Sequence, residues 1–495
     1  MSSRVSAASS PDDLKYARGV AARVPPSQRP LRPLEWVTLV HVGIFLVWIT
    51  WGFGGGAEGM RTYLAWWGSL GALITLTALQ DREAWREGWM KPLVWLIPLA
   101  AFNAYVVLAT FNPSFQTLKF DNDIVFVHRG AHAALPSSAR PESALQALWM
   151  FDAIWISCFN LALLIRQRRA LRGLLLLAAG NALALSVFGT IQKFAGAKGP
   201  YFGAVETRQP YFFASFIYHN HWGAFTLLML VVCLGLAWHF GRRYEARNFF
   251  HSPAFGSLIA IFFIAATVPL SGSRSSTLLA GLLFTVAFGH WVYRTVRQRR
   301  RMRESVAPPL LGAAAAVVLG AAGIWWVARD TILVRSELTR TQVEAMISQG
   351  GIGDRVRLYE DTWRMAQAKP FFGWGMASYP HVFTLFNTQP PKVDRLVSFY
   401  RDAHSDWLQA FAEHGYVGVA LLALCALVPV FHLGPARLRG ALTRYLLLGC
   451  LLLLVYAWVE FPFGNLAVVL GWWLCFFAAL HYARLQDREA PTPTK

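Results

Sequence analysis

Apolar runs of about 20 residues, the length that crosses a bilayer's hydrocarbon core as a helix, recur along almost the whole chain. No other feature constrains the fold as strongly. Length and polarity divide the sequence into about twelve such spans, at 33–53, 61–80, 92–111, 145–165, 173–194, 212–239, 254–271, 276–294, 308–328, 406–432, 443–462 and 465–483. Composition agrees, because only 15% of the residues are charged where a soluble domain carries about a quarter. The expected fold class is all-α: a polytopic membrane protein of about 12 transmembrane helices with a large, partly helical loop outside the bilayer. A soluble multidomain enzyme and a disordered chain are both excluded.

Charge then sets the orientation. The net charge is +19, from 46 Lys+Arg against 27 Asp+Glu. Most basic residues sit in short connections between spans, so the excess reads as topology and not as nucleic-acid binding. Arg166, Arg168, Arg169 and Arg172 form one basic turn, and Arg242, Arg243 and Arg247 a second. Arg294, Arg297, Arg299, Arg300, Arg301 and Arg303 form a third, and Arg437, Arg439 and Arg444 a fourth. If the spans alternate, all four fall on one side, joined by Arg4–Arg32 and by Asp81–Lys91. The positive-inside rule makes that side cytoplasmic and puts both termini on it.

Residues 1–32 are accordingly expected as a disordered cytoplasmic tail, with no apolar core of a signal peptide in 1–31. Residues 33–328 carry transmembrane helices 1–9 and an external loop over 112–144. Residues 329–405 form a second, much larger external loop, 406–483 carry helices 10–12, and 484–495 form a cytoplasmic tail. Within the large loop, Asp354–Lys369 reads as an amphipathic helix. Val356, Tyr359, Trp363 and Ala366 share its apolar stripe, its Arg and Glu residues face away, and Lys369–Pro370 stops it. All five cysteines lie inside apolar runs, so no disulfide or metal cluster is expected. No internal repeat of the inverted-repeat transporter kind stands out.

The candidate functional residues are polar groups at the external boundary, where an ionisable side chain beside lipid is costly unless it is used. His404 sits where the long loop meets the tenth span. It is either a general base near neutral pH or a helix-start residue bonding the backbone. In the turn Ser271-Gly272-Ser273-Arg274-Ser275-Ser276, Arg274 is ringed by hydroxyls. It either grips a phosphate with its planar fork or snorkels to headgroups. Asn220 is either functional or an interhelical contact. Its neighbours His219 and His221 are two apart, which argues against a helical metal pair, and they have no assigned role. Lys193 meets a lipid phosphate or snorkels.

Glu460 needs a partner, and Arg274 and Lys193 are the candidates. Arg355, Arg357 and Arg395 add positive charge from the large loop. Asp121-Asn122-Asp123 matches a metal-binding D-x-D pattern but reads better as a turn, and Gly351 and Gly353 read as hinges. Together these residues describe a cationic external pocket suited to an anionic lipid-linked substrate. Such a pocket neutralises a diphosphate leaving group without metal or cofactor.

Several segments resemble the O-antigen ligase and O-antigen (exopolysaccharide) polymerase superfamily of bacterial inner-membrane glycan transferases. They are Gly189-Thr190-Ile191-Gln192-Lys193, Tyr218-His219-Asn220-His221-Trp222, the turn at Arg274, Arg355-Val356-Arg357, and Pro370-Phe371-Phe372-Gly373-Trp374-Gly375. The most specific is the H-S-x-x-L-Q-x-x-x-E-x-G string from His404 to Gly415. The resemblance covers about residues 140–480. It implies a GT-C-like fold in the inner membrane, with the external side as periplasm.

The implied activity is metal-independent, inverting transfer of a glycan from undecaprenyl diphosphate to a hydroxyl acceptor. His404 would be the catalytic base, Arg274, Lys193 and Arg355 would bind the diphosphate, and Asn220, Glu460 and Arg357 would support them. The implied partners are the lipid-linked donor, a glycan or lipid A-core acceptor, the bilayer, and polysaccharide chain-length and export proteins. Polymerase, ligase and protein-glycosylating branches all remain open. The segment Pro136-Ser137-Ser138 to Pro141-Glu142-Ser143 leans toward a polymerase, and a flippase of lipid-linked sugars is the rival from another class.

Overall fold

The structure, a computed structural model, describes residues 30–120, 123–207, 209, 211–241, 246–348, 354–389 and 399–489. Each expected span carries a helix. In chain order these are α1 (Pro33–Trp51), α2 (Glu58–Leu79), a short α3 (Arg82–Arg86), α4 (Leu96–Thr110), α5 (Pro141–Leu164), α6 (Arg168–Phe194), α7 (His219–Gly241), α8 (Pro253–Leu270) and α9 (Arg274–Met302). Next come α10 (Ala307–Ser348), α11 (Asp354–Ala368), the single turn α12 (Tyr379–Val382), α13 (Asp406–Leu433), α14 (Ala441–Tyr456) and α15 (Leu466–Glu489). Among the described residues eleven helical segments are long and apolar enough to cross a membrane, α4 counting with the helical turns from Lys91 before it, and the 16-residue α14 is a shorter apolar helix. The chain is an all-α polytopic membrane protein.

Local sequence explains the helix starts. Pro33, Pro141 and Pro253 occupy the first turn, where a missing N–H costs nothing. Ser252 and Ser405 accept from the backbone N–H three residues on, the usual hydroxyl cap. The core lies along α5, α7 and α15, the most enclosed spans. Trp155 stacks on Phe159 at 5.2 Å, and both pack edge-on against Phe477.

The structure departs from the expected boundaries in two places. Helix α10 does not end at residue 328 but continues to Ser348, 42 residues in all. No Pro interrupts it, and no Gly follows Gly323 until Gly350, so the helix propagates past the membrane boundary. At 1.5 Å per residue it is about 60 Å long, roughly twice the hydrocarbon thickness. Its apolar window has no buried residue, and the helix runs along the outside of the bundle against α8. The expected tail at 484 begins inside α15, because Arg484 donates to the carbonyls of Ala162, Gly88 and Trp89. The loop 112–144 contains an antiparallel hairpin, β1 (Phe115–Phe120) with β2 (Asp123–His128). Asp121, Asn122, Gly351, Gly353, Arg242, Arg243 and Arg395 lie outside the described residues.

Helix α13 is broken rather than continuous. Gly415 has φ +59° and ψ −171°, and the segment around it pairs like a strand with 370–375. Trp374 N donates to Ala412 O at 3.0 Å and Gly375 N to Glu413 O at 2.8 Å; Tyr416 N donates to Pro370 O at 2.8 Å and Val417 N to Phe371 O at 3.0 Å. The backbones approach so closely that a Cβ on Gly415 would lie 2.5 Å from Phe371 C, and one on Gly373 2.4 Å from Glu413 C. Tyr105 Oη lies 2.6 Å from Phe372 O and 2.9 Å from His414 O, closing the junction from α4.

Candidate functional site

The break in α13 sets up the residues before it. Ser405 is the N-cap, so His404 stands one position outside the helix, with φ +52°. A non-glycine residue there is strained and must be held by its surroundings. Tyr359 Oη donates to His404 O at 2.9 Å, and Ala403 N donates to Gln409 Oε1 at 3.1 Å. Gln409 Nε2 reaches Glu413 Oε1 at 3.4 Å, one helical turn on. Glu413 in turn accepts from Ala377 N and Tyr379 N, both at 3.0 Å, which caps α12. The polar members of the H-S-x-x-L-Q-x-x-x-E-x-G string other than His404 are therefore its scaffold. Ser405 supplies the cap, so the helix-start reading of His404 does not hold.

The imidazole faces a buried carboxylate. His404 Nδ1 lies 3.8 Å from Glu460 Oε2, and the ring stands edge-on against Phe461 at 4.7 Å. The Nδ1 atom is buried without a hydrogen-bond partner, while 29% of the side chain is exposed. Helix packing produces this pairing. Asp406 N donates to Glu460 O at 3.2 Å, and Asp406 Oδ2 accepts from Phe463 N at 2.8 Å, which ties the start of α13 to the turn after α14.

Glu460 is nearly fully buried, and its partner is neither Arg274 nor Lys193. Arg355 Nη2 donates to Glu460 Oε1 at 2.6 Å, and Nη1 to Val459 O at 3.3 Å. Burial pushes the Glu460 carboxyl up, but His404 and the Arg355 guanidinium outweigh it, so its pKa falls below the ordinary value of 4.5. Burial lowers Arg355, yet Glu460 overrides that and raises it.

Tyr218 Oη lies 3.3 Å from the other carboxylate oxygen, with its ring stacked on Phe461 at 5.2 Å. A carboxylate only accepts, so Tyr218 donates to it and accepts from Asn220 Nδ2 at 2.8 Å. That orients the amide, whose Oδ1 then accepts from Ser273 Oγ at 2.7 Å. Ser276 Oγ lies 2.8 Å from Ser273 Oγ, and Tyr456 Oη 3.0 Å from Ser276 Oγ. Since each hydroxyl has one proton, the chain runs in one direction, from Tyr456 to Glu460.

These bonds correct the reading of the Arg274 turn. The Ser273 and Ser276 hydroxyls point into the bundle and are buried, while Arg274 is exposed on the other side. Arg274 Nη1 donates to Thr339 Oγ1 at 2.7 Å, on the part of α10 beyond residue 328. Arg335 comes from the same extension. Its Nε donates to Gly272 O at 2.9 Å, Nη2 lies 3.2 Å from His219 Nε2, and the guanidinium sits 4.2 Å over Tyr211. An arginine only donates, so His219 accepts at Nε2 and carries its proton on Nδ1. His221 donates from Nε2 to Phe461 O at 3.2 Å, bracing the aromatic wall under His404. The two histidines, left without a role by sequence, thus hold an arginine and a backbone turn.

The expected site residues do not all converge. His404, Glu460, Arg355 and Asn220 form one connected network, and Arg274 flanks it beside Arg335. Lys193 is in the last turn of α6 and makes no hydrogen bond or ion pair to the network among the described residues. Its neighbour Gln192 is the anchor there, donating to Ala214 O at 3.1 Å and accepting from Phe202 N at 3.0 Å. Arg357 likewise has no such bond to the network.

The buried face of α11 is Leu358, Asp361, Thr362, Met365 and Ala366; of the expected stripe Ala366 is buried and Tyr359 half-buried. Val356 and Trp363 are exposed, and Arg355 turns inward instead of away. The face rotates because Asp361, accepting from Thr388 N at 2.9 Å, anchors the inner side. Tyr218, Arg335, Tyr359 and Phe461 were missed. Tyr218 opens a segment already singled out but was given no role there, whereas Arg335 gave no signal without the length of α10. Among the described residues no three His, Cys, Asp or Glu side chains form a metal-binding group.

The network lies at one end of the bundle, and the basic turns at Arg166–Arg172, Arg294–Arg303 and Arg437–Arg444 lie at the other. Residues 259–423, a third of the chain, match the family model described as O-antigen ligase, so the resemblance in the motifs is repeated over that segment. The matched segment contains Arg274, Arg355 and His404; Lys193, Asn220 and Glu460 lie outside it. No curated protein matches the chain.

Proposed function

We propose that the chain transfers a glycan from undecaprenyl diphosphate to a sugar hydroxyl at the His404 end of the bundle, which the positive-inside rule makes periplasmic. The observation that carries the proposal is the facing pair of His404 and buried Glu460, with Arg355 on the far carboxylate oxygen. Glu460 favours the imidazole tautomer protonated at Nδ1, leaving Nε2 as the base. The acceptor hydroxyl gives its proton to Nε2 as its oxygen attacks the anomeric carbon. The bond from that carbon to the diphosphate oxygen breaks on the opposite face, so configuration inverts. Arg274, exposed beside the network, and the half-buried Arg335 next to it neutralise the departing diphosphate, with no metal required.

Two acceptors fit this chemistry. The polymerase reading drew on residues 136–143, but Ser137 Oγ accepts from Lys369 Nζ at 2.8 Å and Ser138 O from Ser114 N at 2.9 Å. That segment is a structural strap and does not discriminate between acceptors. Ligation to lipid A-core is favoured by the description of the matching family model. Purified protein given the lipid-linked glycan alone, and then with lipid A-core, separates the two. Glycan translocation without transfer would support the flippase and overturn the proposal.

His404→Ala is expected to fold and to abolish transfer; normal transfer by that variant removes His404 from the mechanism. Arg274→Lys is expected to lose most activity, since a point charge does not replace the fork. Full activity there would return Arg274 to headgroup contact.

A further inference from the structure

A cavity of about 260 Å³ opens at the end of the bundle away from His404, between the C-terminal parts of α7 and α9 and the start of α14. We propose that this cavity, walled by Trp238, His290, Arg294, Arg439 and Arg444, binds the phosphate headgroup of an anionic membrane lipid. Its inner wall is apolar and aromatic. Trp238 stacks on His290 at 4.5 Å, His290 Nδ1 lies 3.0 Å from Tyr445 Oη, and Val286 and Leu448 complete it.

The three arginines come from three elements: α9, the turn before α14, and α14 itself. None of the lining residues is acidic. The positive-inside rule accounts for arginines at this end, but not for their convergence on one concavity with an aromatic floor. Arg444 is steadied by its bond from Nε to Leu438 O at 3.4 Å, which leaves its outer N–H groups for a ligand. Planar guanidinium forks suit phosphate oxygens, and the apolar wall suits the start of an acyl chain.

Position selects a lipid over a free phosphate. His290 follows Arg274 by 16 residues on α9, about 24 Å along the helix axis. That approaches the hydrocarbon thickness of about 30 Å, so the cavity meets the opposite membrane boundary, where headgroups lie. The site is separate from the glycan chemistry and does not depend on it.

The test uses the full chain in neutral detergent, with lipid retention read by native mass spectrometry. Phosphatidylglycerol and phosphatidylcholine of matched acyl chains are the probes, with inorganic phosphate as competitor. Phosphatidylglycerol is expected to be retained preferentially, and Arg294→Ala with Arg444→Ala to weaken it about tenfold. Arg301→Ala with Arg303→Ala removes the same charge at the last turn of α9 and its C-cap and is expected to leave retention unchanged. If the first pair fails to fold, Arg294→Gln with Arg444→Gln carries the same expectation. Equal retention of both lipids, or equal loss in both double variants, would overturn the proposal. Displacement by millimolar inorganic phosphate would do so too, and would make this a free-phosphate site.

Discussion

His404 and Glu460 were both visible in the sequence as polar groups out of place beside lipid. Their pairing was not, because it depends on how the turn after α14 meets the start of α13. Arg355 was legible as a cation in a loop but not as the partner of Glu460, since sequence placed it on the outer side of its helix. The network predicts that Glu460→Gln removes most transfer activity, leaving Arg355 and Tyr218 without their charged acceptor; unchanged activity in a folded variant would reduce Glu460 to packing. Because the folded-state pKa of Glu460 is depressed, its contribution to stability is present above the ordinary value of 4.5 and is lost as pH falls through the lower folded value. The melting temperature in detergent is therefore expected to drop more steeply below that pH in the wild type than in Glu460→Gln. Parallel pH profiles of the two proteins would contradict this.

Helices, their proline starts and their serine caps follow from local chemistry, so most elements were legible. Failures occurred where a long-range contact overrode the local pattern. The inner face of α11 is set by Asp361 and Thr388, and the extension of α10 carries the arginine that holds His219. The pairing of Gly415 with the 370–375 segment was likewise hidden, although the glycines there were visible as a motif. It yields a graded prediction. Gly415→Ala meets both a left-handed φ and a backbone contact, and is expected to destabilise by about 3 kcal/mol or more. Gly434→Ala shares the positive φ, +86°, but has nothing within 4 Å of an added Cβ, and is expected to cost about 1 kcal/mol. Thermal unfolding of both variants in detergent reads the difference, and equal losses would put the junction's role in doubt.

For the molecule as a whole, the sequence stated the membrane class, a helix for each expected span and the separation of basic turns from the candidate site. It left the composition of the site open, because three of its groups reach the network from separate elements: Tyr218, Arg335 and Arg355. A bundle with Arg274, Arg335 and Arg355 at the boundary of the network and no metal-binding group among its described residues is expected to keep its transfer activity in EDTA. A strict requirement for Mg²⁺ or Mn²⁺ would redirect attention to Asp121 and Asp123. The central claim is glycan transfer that depends on His404. Its most direct test is a reconstituted reaction of the purified protein with undecaprenyl-diphosphate glycan, alone and with lipid A-core, read by gel and mass spectrometry beside His404→Ala. The account predicts glycan joined to one of these acceptors by the wild type and not by the variant. Absence of any joined product from folded wild-type protein, or the same product from both proteins, would contradict it.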